Sequence, residues 1–522
     1  MKSHRSTWRA QPVVCCPFHA LTLGFVGGIR CEAVALNEAP PSFADSTPKQ
    51  VSAHCRATAG EGRDLVAPAD AQLSTVIRGV TVIPMIGPTR LPNHDVVIRG
   101  DKILSVAHTG AYTPDSNARI VDGAGKFLAP GLSDMHAHPA VIKWIETMVE
   151  RFPGLGEPER FTLPAGLLML QQLAAGVTRI EVMAGDPDML FLRDEIKAGR
   201  MLGPVMRVGS PIIDGPIPIQ SPKMSWLCGD AEGGRKAAQL IAQLGYDFAK
   251  PYNNLPAAAY EALMEECEAR GIPVVGHVPL AVGVDAAVAA GRQDIAHVAE
   301  LYHWLDGAER SDESRLKRLA GQIKQSGKCV QLTTAVGGRI ELVLYKDKTQ
   351  ADFPDTAFCN PLINKVWDTS APAMQAIKAL PHVKTLARDA ERLGYLAART
   401  LHEAGVNLVT GTDAPNSFLA DGFSMHEELE NLVTHCGFSP FEAMKVATVN
   451  AAAQHGEAGR AGIVAEGAFA DLILLDADPL QDIRATRSLS SVWARGMYLS
   501  HGALSEARKR ILAAFDAMPV PQ

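Results

Sequence analysis

Gly131-Leu-Ser-Asp-Met-His-Ala-His-Pro139 closes an apolar run with two histidines one residue apart, His136 and His138. Side chains alternate along a strand, so both imidazoles leave on the same face. Imidazole nitrogens suit zinc and its neighbours, and two from one strand form half of a metal site. Four more residues repeat this placement at the ends of later apolar runs. Lys250 lies in Tyr246-Asp-Phe-Ala-Lys-Pro-Tyr252, and His277 in Val274-Val-Gly-His-Val278. His297 lies in Asp294-Ile-Ala-His-Val298, and Asp413 in Val409-Thr-Gly-Thr-Asp-Ala414. In a (β/α)8 barrel all strand C-termini converge on one face, so residues spread from position 136 to 413 can meet there. The pattern points to metal-dependent hydrolysis.

The candidate strands are Leu128–His138, Val177–Met183, Val205–Gly209, Asp247–Lys250, Pro273–His277, Asp294–His297, Val330–Thr334 and Asn407–Asp413. Helical patterns connect them, which favours a parallel TIM-like barrel over an open sheet. Short alternating runs flank this region on both sides: residues 75–83, 95–99 and 102–106 before it, 471–475 and 491–495 after it. Neither group supplies enough strands alone, and pairing the two ends into one small β-sandwich solves that problem. The expected division is therefore an N-terminal extension at 1–73, half of the sandwich at 74–126 and the barrel at 127–455. The other half follows at 456–505, with a C-terminal helix or tail at 506–522.

Two connections are longer than a barrel needs, Ser210 to Gly229 and Ala335 to Leu380. They carry Trp226 in the first, and Tyr345, Phe353, Phe358 and Trp367 in the second. Loops at the strand C-termini carry substrate contacts, so both are expected to form walls or a lid. Insertions that merely cover apolar surface are the competing reading.

The 522 residues are 47% hydrophobic and 20% charged, ordinary for a globular chain. The formal net charge of −7 recommends neither nucleic acid nor an anionic membrane as partner. A small-molecule substrate is expected instead, and a homo-oligomer is compatible with the sequence. Nine cysteines are present without a CxxC, and the five after position 200 are far apart, which argues for buried free thiols. Lys2, Arg5 and Arg9 precede a mostly apolar stretch at 12–29, and Ala33-Val-Ala35 resembles a signal cleavage site. Pro17, His19 and Cys15-Cys16 interrupt that stretch, with Arg30 and Glu32 near the cut, so a cytoplasmic chain is slightly favoured over an exported one. The same interruptions argue against a membrane-spanning helix.

Taken alone, His277 or His297 reads as a satisfied core histidine. Their shared placement at consecutive strand ends is what marks them as ligands. Asp413 would be costly to bury without a strong partner, and a metal with a bound water provides one. Lys250 separates site types, because a lysine cation among histidines opposes metal binding. Addition of CO2 to its amine would yield an anionic carbamate whose two oxygens can bridge two cations. The alternative is a lysine that snorkels to solvent or pairs with an acid.

Phe127-Leu-Ala-Pro-Gly-Leu-Ser-Asp-Met-His-Ala-His138, Gly245-Tyr-Asp-Phe-Ala-Lys250, Gly271-Ile-Pro-Val-Val-Gly-His-Val278, Gly411-Thr-Asp413 and Ala470-Asp-Leu-Ile-Leu-Leu-Asp-Ala-Asp-Pro479 together carry a family resemblance. The chain resembles the amidohydrolase superfamily, in its imidazolonepropionase-like group. Its ligand set is similar to that of the Xaa-Pro dipeptidases of this superfamily and of ochratoxinase. The resemblance covers residues 74–505 and implies a (β/α)8 barrel with a composite β-sandwich. It implies that His136 and His138 bind the more buried metal, His277 and His297 the more exposed one, and that carboxylated Lys250 bridges both. Asp413 would complete the buried site and shuttle the proton. It further implies two divalent ions, zinc most often, sometimes cobalt or manganese. Tyr252 would bind or polarise the substrate carbonyl. One departure stands out: the second strand ends Thr178-Arg-Ile-Glu-Val-Met183, where many relatives have an Arg-Asp pair, so Arg179 and Glu181 receive no catalytic role.

The implied reaction is attack of a metal-bridging hydroxide on an amide-like C–N bond, in an N-acyl amino acid, dipeptide or related amide. A mononuclear deaminase or cyclic-imide hydrolase would leave Lys250 unmodified. An ester, lactone or organophosphate hydrolase would use the same residues, and a non-catalytic barrel relative would not need to keep all six.

Overall fold

The computed structural model describes residues 51–66, 74–139, 145–146, 149, 156–302, 307–380, 383, 387 and 389–520. Its core is a TIM-barrel-like ring of parallel strands. In chain order these are Leu132–Ala137, Val177–Val182, Val205–Asp214, Phe248–Pro251, Val275–Gly276, Asp294–Ile295, Cys329–Gln331 and Asn407–Val409. The first four pair side by side in parallel, as do the last four. The fourth meets the fifth through an Ala249–Val274 bridge and a hydrogen bond from His277 N to Pro251 O. The eighth returns to the first through Met135 N to Thr410 O at 2.9 Å and Asp413 N to His136 O at 2.8 Å. Amphipathic helices such as Ala231–Leu244 and Ala257–Arg270 cover the outside, burying Ala238, Ile241, Leu263 and Cys267 against the strands.

Both ends of the described chain contribute to one mixed sheet. In spatial order its strands are Met497–Leu499, Leu489–Ala494, Leu472–Leu475, Phe127–Pro130, Ser74–Val82, Leu91–Arg99 and Lys102–His108, with Arg119–Asp122 also on Ser74–Val82. The two ends do join as the sequence led us to expect. Where a sandwich was expected, however, the eight strands are hydrogen-bonded into a single sheet. Its apolar face carries Val80, Ile98, Leu128, Leu472 and Trp493, all buried. The N-terminal side supplies five of these strands and the C-terminal side three, and residues from both line that face.

The switch from sheet to barrel falls at one peptide. Gly131 N donates to Asp471 O in the sheet, and Leu132 N donates to Gly176 O in the barrel. A Cβ on Gly131 would stand 2.2 Å from Thr178 Oγ1. The glycine of the opening motif is thus required by close approach of the second barrel strand.

Expectations for the first 50 residues lie outside the described part of the chain. Of the proposed extension, residues 51–66 are packed on the body. Ala53–Thr58 is a short helix capped by Ser52, whose Oγ also donates to Asp188 Oδ2 at 2.7 Å, and Cys55 is buried beneath it. The six cysteines among the described residues are all buried and unpaired. No helix among those residues is long and apolar enough to cross a membrane.

Candidate metal centre

The C-terminal ends of the barrel strands gather all six residues singled out in the sequence. His136 ends the first strand, with His138 just beyond, and Asp413 reaches between them. Asp413 Oδ1 lies 3.4 Å from His136 Nε2 and 3.2 Å from His138 Nε2. These three side chains form a group that could hold a metal ion. The His297 ring centroid is 4.1 Å from that of His136 and 4.8 Å from that of His277. Lys250 enters from the fourth strand and is 1% exposed. A cavity of about 50 Å³ is lined by His138, Lys250, Tyr252, His277, His297 and Asp413, with Ile212, Gln220, Met224 and Asn416.

Backbone conformation sets several of these side chains. His297, Thr333 and Asp413 have φ of +69°, +48° and +59°, a region that non-glycine residues rarely occupy. Such strain persists where the surroundings over-determine it, and it collects at functional sites. Asp134, buried within the first strand, accepts from Thr412 Oγ1 at 2.6 Å, Thr412 N at 3.0 Å and His136 N at 3.1 Å. That carboxyl ties the first and eighth strands together and so fixes where Asp413 stands relative to His136.

A sequence model of the amidohydrolase family matches residues 127–497, well over half of the chain. The chain belongs to the amidohydrolase family. Its His136, His138 and Asp413 form a candidate metal site consistent with that membership. Over 406 residues, 74% of this amidohydrolase, it is 26% identical to an imidazolonepropionase from Anaeromyxobacter dehalogenans, covering 84% of that protein. A shorter stretch of 98 residues is 37% identical to ochratoxinase from Aspergillus niger, spanning 18% of this chain but only 19% of that protein's length. The ochratoxinase crystal structure matches with a TM-score of 0.59 at 21% identity, over 82% of this chain and 96% of that one. A Xaa-Pro dipeptidase structure matches with a TM-score of 0.61 at 17% identity, over 82% of this chain and 100% of that one. At such identities the two structures establish a shared fold.

The ring nitrogens facing away from the cavity have partners that the sequence reading of this amidohydrolase missed. His136 Nδ1 donates to Gln331 Oε1 at 2.7 Å, and His277 Nδ1 donates to Glu300 Oε1 at 2.8 Å. His297 Nδ1 meets Thr333 Oγ1 at 3.0 Å. A proton held on Nδ1 leaves the Nε2 lone pair of the same ring for a metal. The one available signal was a glutamine and a glutamate inside otherwise apolar runs, Val330-Gln-Leu332 and Ala299-Glu-Leu301.

Burial, then the Lys250 charge, holds the His136 imidazole well below the usual histidine range. Burial does the same to His297. The Lys250 ammonium is pushed down to about 7 by its desolvation, which Asp413 and Glu300 offset only in part. Burial alone would raise Asp413, but His297, His138 and Lys250 outweigh it and hold the carboxyl below the ordinary carboxylate value. The set therefore offers neutral imidazoles at His136 and His297, an ionised carboxylate and a lysine that readily loses its proton.

The long connections divide. From 210–229, Ile212, Gln220 and Met224 reach the cavity, and Gln220 Nε2 donates to the Tyr252 hydroxyl at 3.3 Å. Trp226 is instead buried against Tyr246. The expected wall at 335–380 places no described residue on the cavity. It forms helices Thr334–Leu344, Pro361–Val366 and Pro372–Lys378 around a separate core containing Val343, Ile363 and Trp367. Phe353 and Phe358 pair with Phe418 and Phe423 from beyond the segment, Trp367 is buried, and Tyr345 is exposed.

Gly411 shows how closely the eighth strand passes the first. A Cβ there would stand 2.5 Å from His136 Cβ and 3.0 Å from its backbone nitrogen. Gly411→Ala is expected to displace His136 and to cost about 1–3 kcal/mol, as overpacking does. Chemical denaturation alongside metal titration measures both effects, and unchanged stability would mean that the strands separate freely.

Proposed function

We propose that this amidohydrolase cleaves an amide-like C–N bond in a small molecule, an N-acyl amino acid, dipeptide or related amide, using two divalent ions. The observation that carries the reading is Lys250. Its Nζ is buried with no hydrogen-bond partner among the described residues, and Lys250 lines the same cavity as His138, His277, His297 and Asp413. A lysine that snorkels or pairs with an acid would not leave its nitrogen so, because a buried unsatisfied cation is costly. A neutral amine there can instead attack CO2, form a C–N bond and release a proton to solvent. The product is an anionic carbamate with two oxygens.

The residues present fit a metal pair. His136 Nε2 also makes no hydrogen bond among the described residues, and three of the four imidazoles engage a partner through Nδ1. His136, His138 and Asp413 would hold one ion, His277 and His297 the other, with the Lys250 carbamate between them. Zinc suits this donor set, and cobalt or manganese would serve. Bound ions supply Lewis acidity, lowering the pKa of water and polarising the scissile carbonyl.

Asp413 then does the proton work. As a carboxylate at neutral pH, it accepts a proton from the attacking water and delivers it to the leaving amine nitrogen. Tyr252, whose ring centroid is 4.1 Å from that of His277, would bind or polarise the carbonyl. Buried cysteines play no part, because burial raises the thiols of Cys228, Cys267 and Cys329.

Metal analysis of the purified protein is expected to give two divalent ions per chain, zinc foremost. Chelation should abolish activity, and zinc, cobalt or manganese should restore it. In a panel of N-acyl amino acids, dipeptides, esters and lactones, the amides should turn over fastest. Full activity with a single metal equivalent would favour a mononuclear deaminase or cyclic-imide hydrolase and overturn the two-ion reading.

A further inference from the structure

A second polar layer lies beneath the six residues, inside the barrel. Gln331, on the seventh strand, is 2% exposed. Its Nε2 donates to Met135 O and, at 3.0 Å, to Glu181 Oε2, while its Oε1 accepts from His136 Nδ1. The amide orientation follows from chemistry, since turning it over would set its oxygen against a carbonyl and a carboxylate. With Oε1 toward the ring, the His136 proton sits on Nδ1 and its lone pair on Nε2.

Glu181 is held just as firmly. It is 1% exposed, its Oε1 accepts from Arg207 Nη1 at 3.1 Å, and His455 Nε2 lies 3.2 Å from the same oxygen. Arg179 Nη1 reaches His455 Nδ1 at 2.8 Å. Arg207, His455 and Arg179 line a cavity of about 840 Å³ beside Val205 and Asp247, at the starts of the third and fourth strands. An unbroken run of buried hydrogen bonds thus crosses the barrel, from the end where its strands begin to a histidine at the end where they finish.

We propose that Gln331 and Glu181 are positioning residues for the metal centre, with Arg207 as their anchor. The proposal rests on reading His136 as a ligand. A carboxylate accepting from the amide strengthens the amide oxygen as an acceptor, and that in turn makes the imidazole a better donor to metal through Nε2. The same contacts fix the ring's tautomer and tilt. This gives Glu181 a role through two intermediaries rather than at the reacting atoms.

The test compares zinc affinity, by competition with a chromogenic chelator, with unfolding of the metal-free protein. Gln331→Met keeps volume but removes the acceptor, and it should weaken zinc binding roughly 10–100-fold, the range seen when such supporting partners are lost. Glu181→Gln is isosteric and should weaken zinc binding in the same direction, which keeps the proposal testable if Gln331→Met does not fold. Zinc affinity unchanged in the single variants, with only the metal-free protein destabilised, would overturn the proposal. A wild-type protein that takes up no zinc, cobalt or manganese would overturn the metal-centre reading itself.

Discussion

Lys250→Arg is expected to remove at least one divalent ion and nearly all activity, whereas Lys250→Glu recovers metal better than Arg does. Arginine keeps the positive charge and approximate length but cannot form a bridging carbamate. Two cations would then face a third charge in a buried site, where an unpaired charge is costly. Glutamate supplies an anionic group with two oxygens, though on a shorter stem than the carbamate would have. The structural setting sharpens the contrast. Lys250 is buried with no hydrogen bond to its nitrogen among the described residues, and its ammonium is already pushed down to about 7 by desolvation. Were the lysine simply a buried cation balanced by Asp413, arginine would be the benign replacement and glutamate the harmful one. Metal content of the two variants, measured on folded protein, separates these opposite orders.

The barrel was legible because its punctuation is chemical. Each ligand candidate closes an apolar run, and a strand end is where an ionisable side chain can leave an apolar core for a shared face. His136 and His138 needed only the alternation of one strand, and Gly131 before them reports a close approach to Thr178 that no other residue would allow. Gln331 and Glu181 were harder, because their meaning lies in hydrogen bonds between strands far apart in the chain. Glu181 read only as a departure from a family pattern, while its partners Gln331 and Arg207 come from the seventh and third strands. Glu300 was hidden in the same way, three residues after His297 yet bonded to His277. The segment 335–380 misled for a different reason. Aromatic side chains mark a substrate wall and a small separate core equally well in one dimension, and Trp367, Ile363 and Val343 turn out to pack on one another.

Asp413→Asn should preserve the fold and at least part of the metal content while lowering turnover roughly 10²-fold or more, the contribution typical of a positioned general base. Carboxylate and amide are nearly the same size, and the backbone of Asp413 is held independently of its side chain, by its N–H to His136 O at 2.8 Å. The left-handed φ of +59° is also one that asparagine tolerates among the non-glycine residues. What the substitution removes is the capacity to take a proton. The native carboxyl lies below its usual range, so it is ionised throughout the neutral region and ready to accept. An amide has no equivalent protonation state there. The loss should therefore fall mainly on kcat, with KM for an amide substrate little changed, because the groups that contact substrate stay in place. Near-wild-type turnover, with metal retained, would show that Asp413 serves only to hold His136 and His138 in position and that the proton leaves by another route.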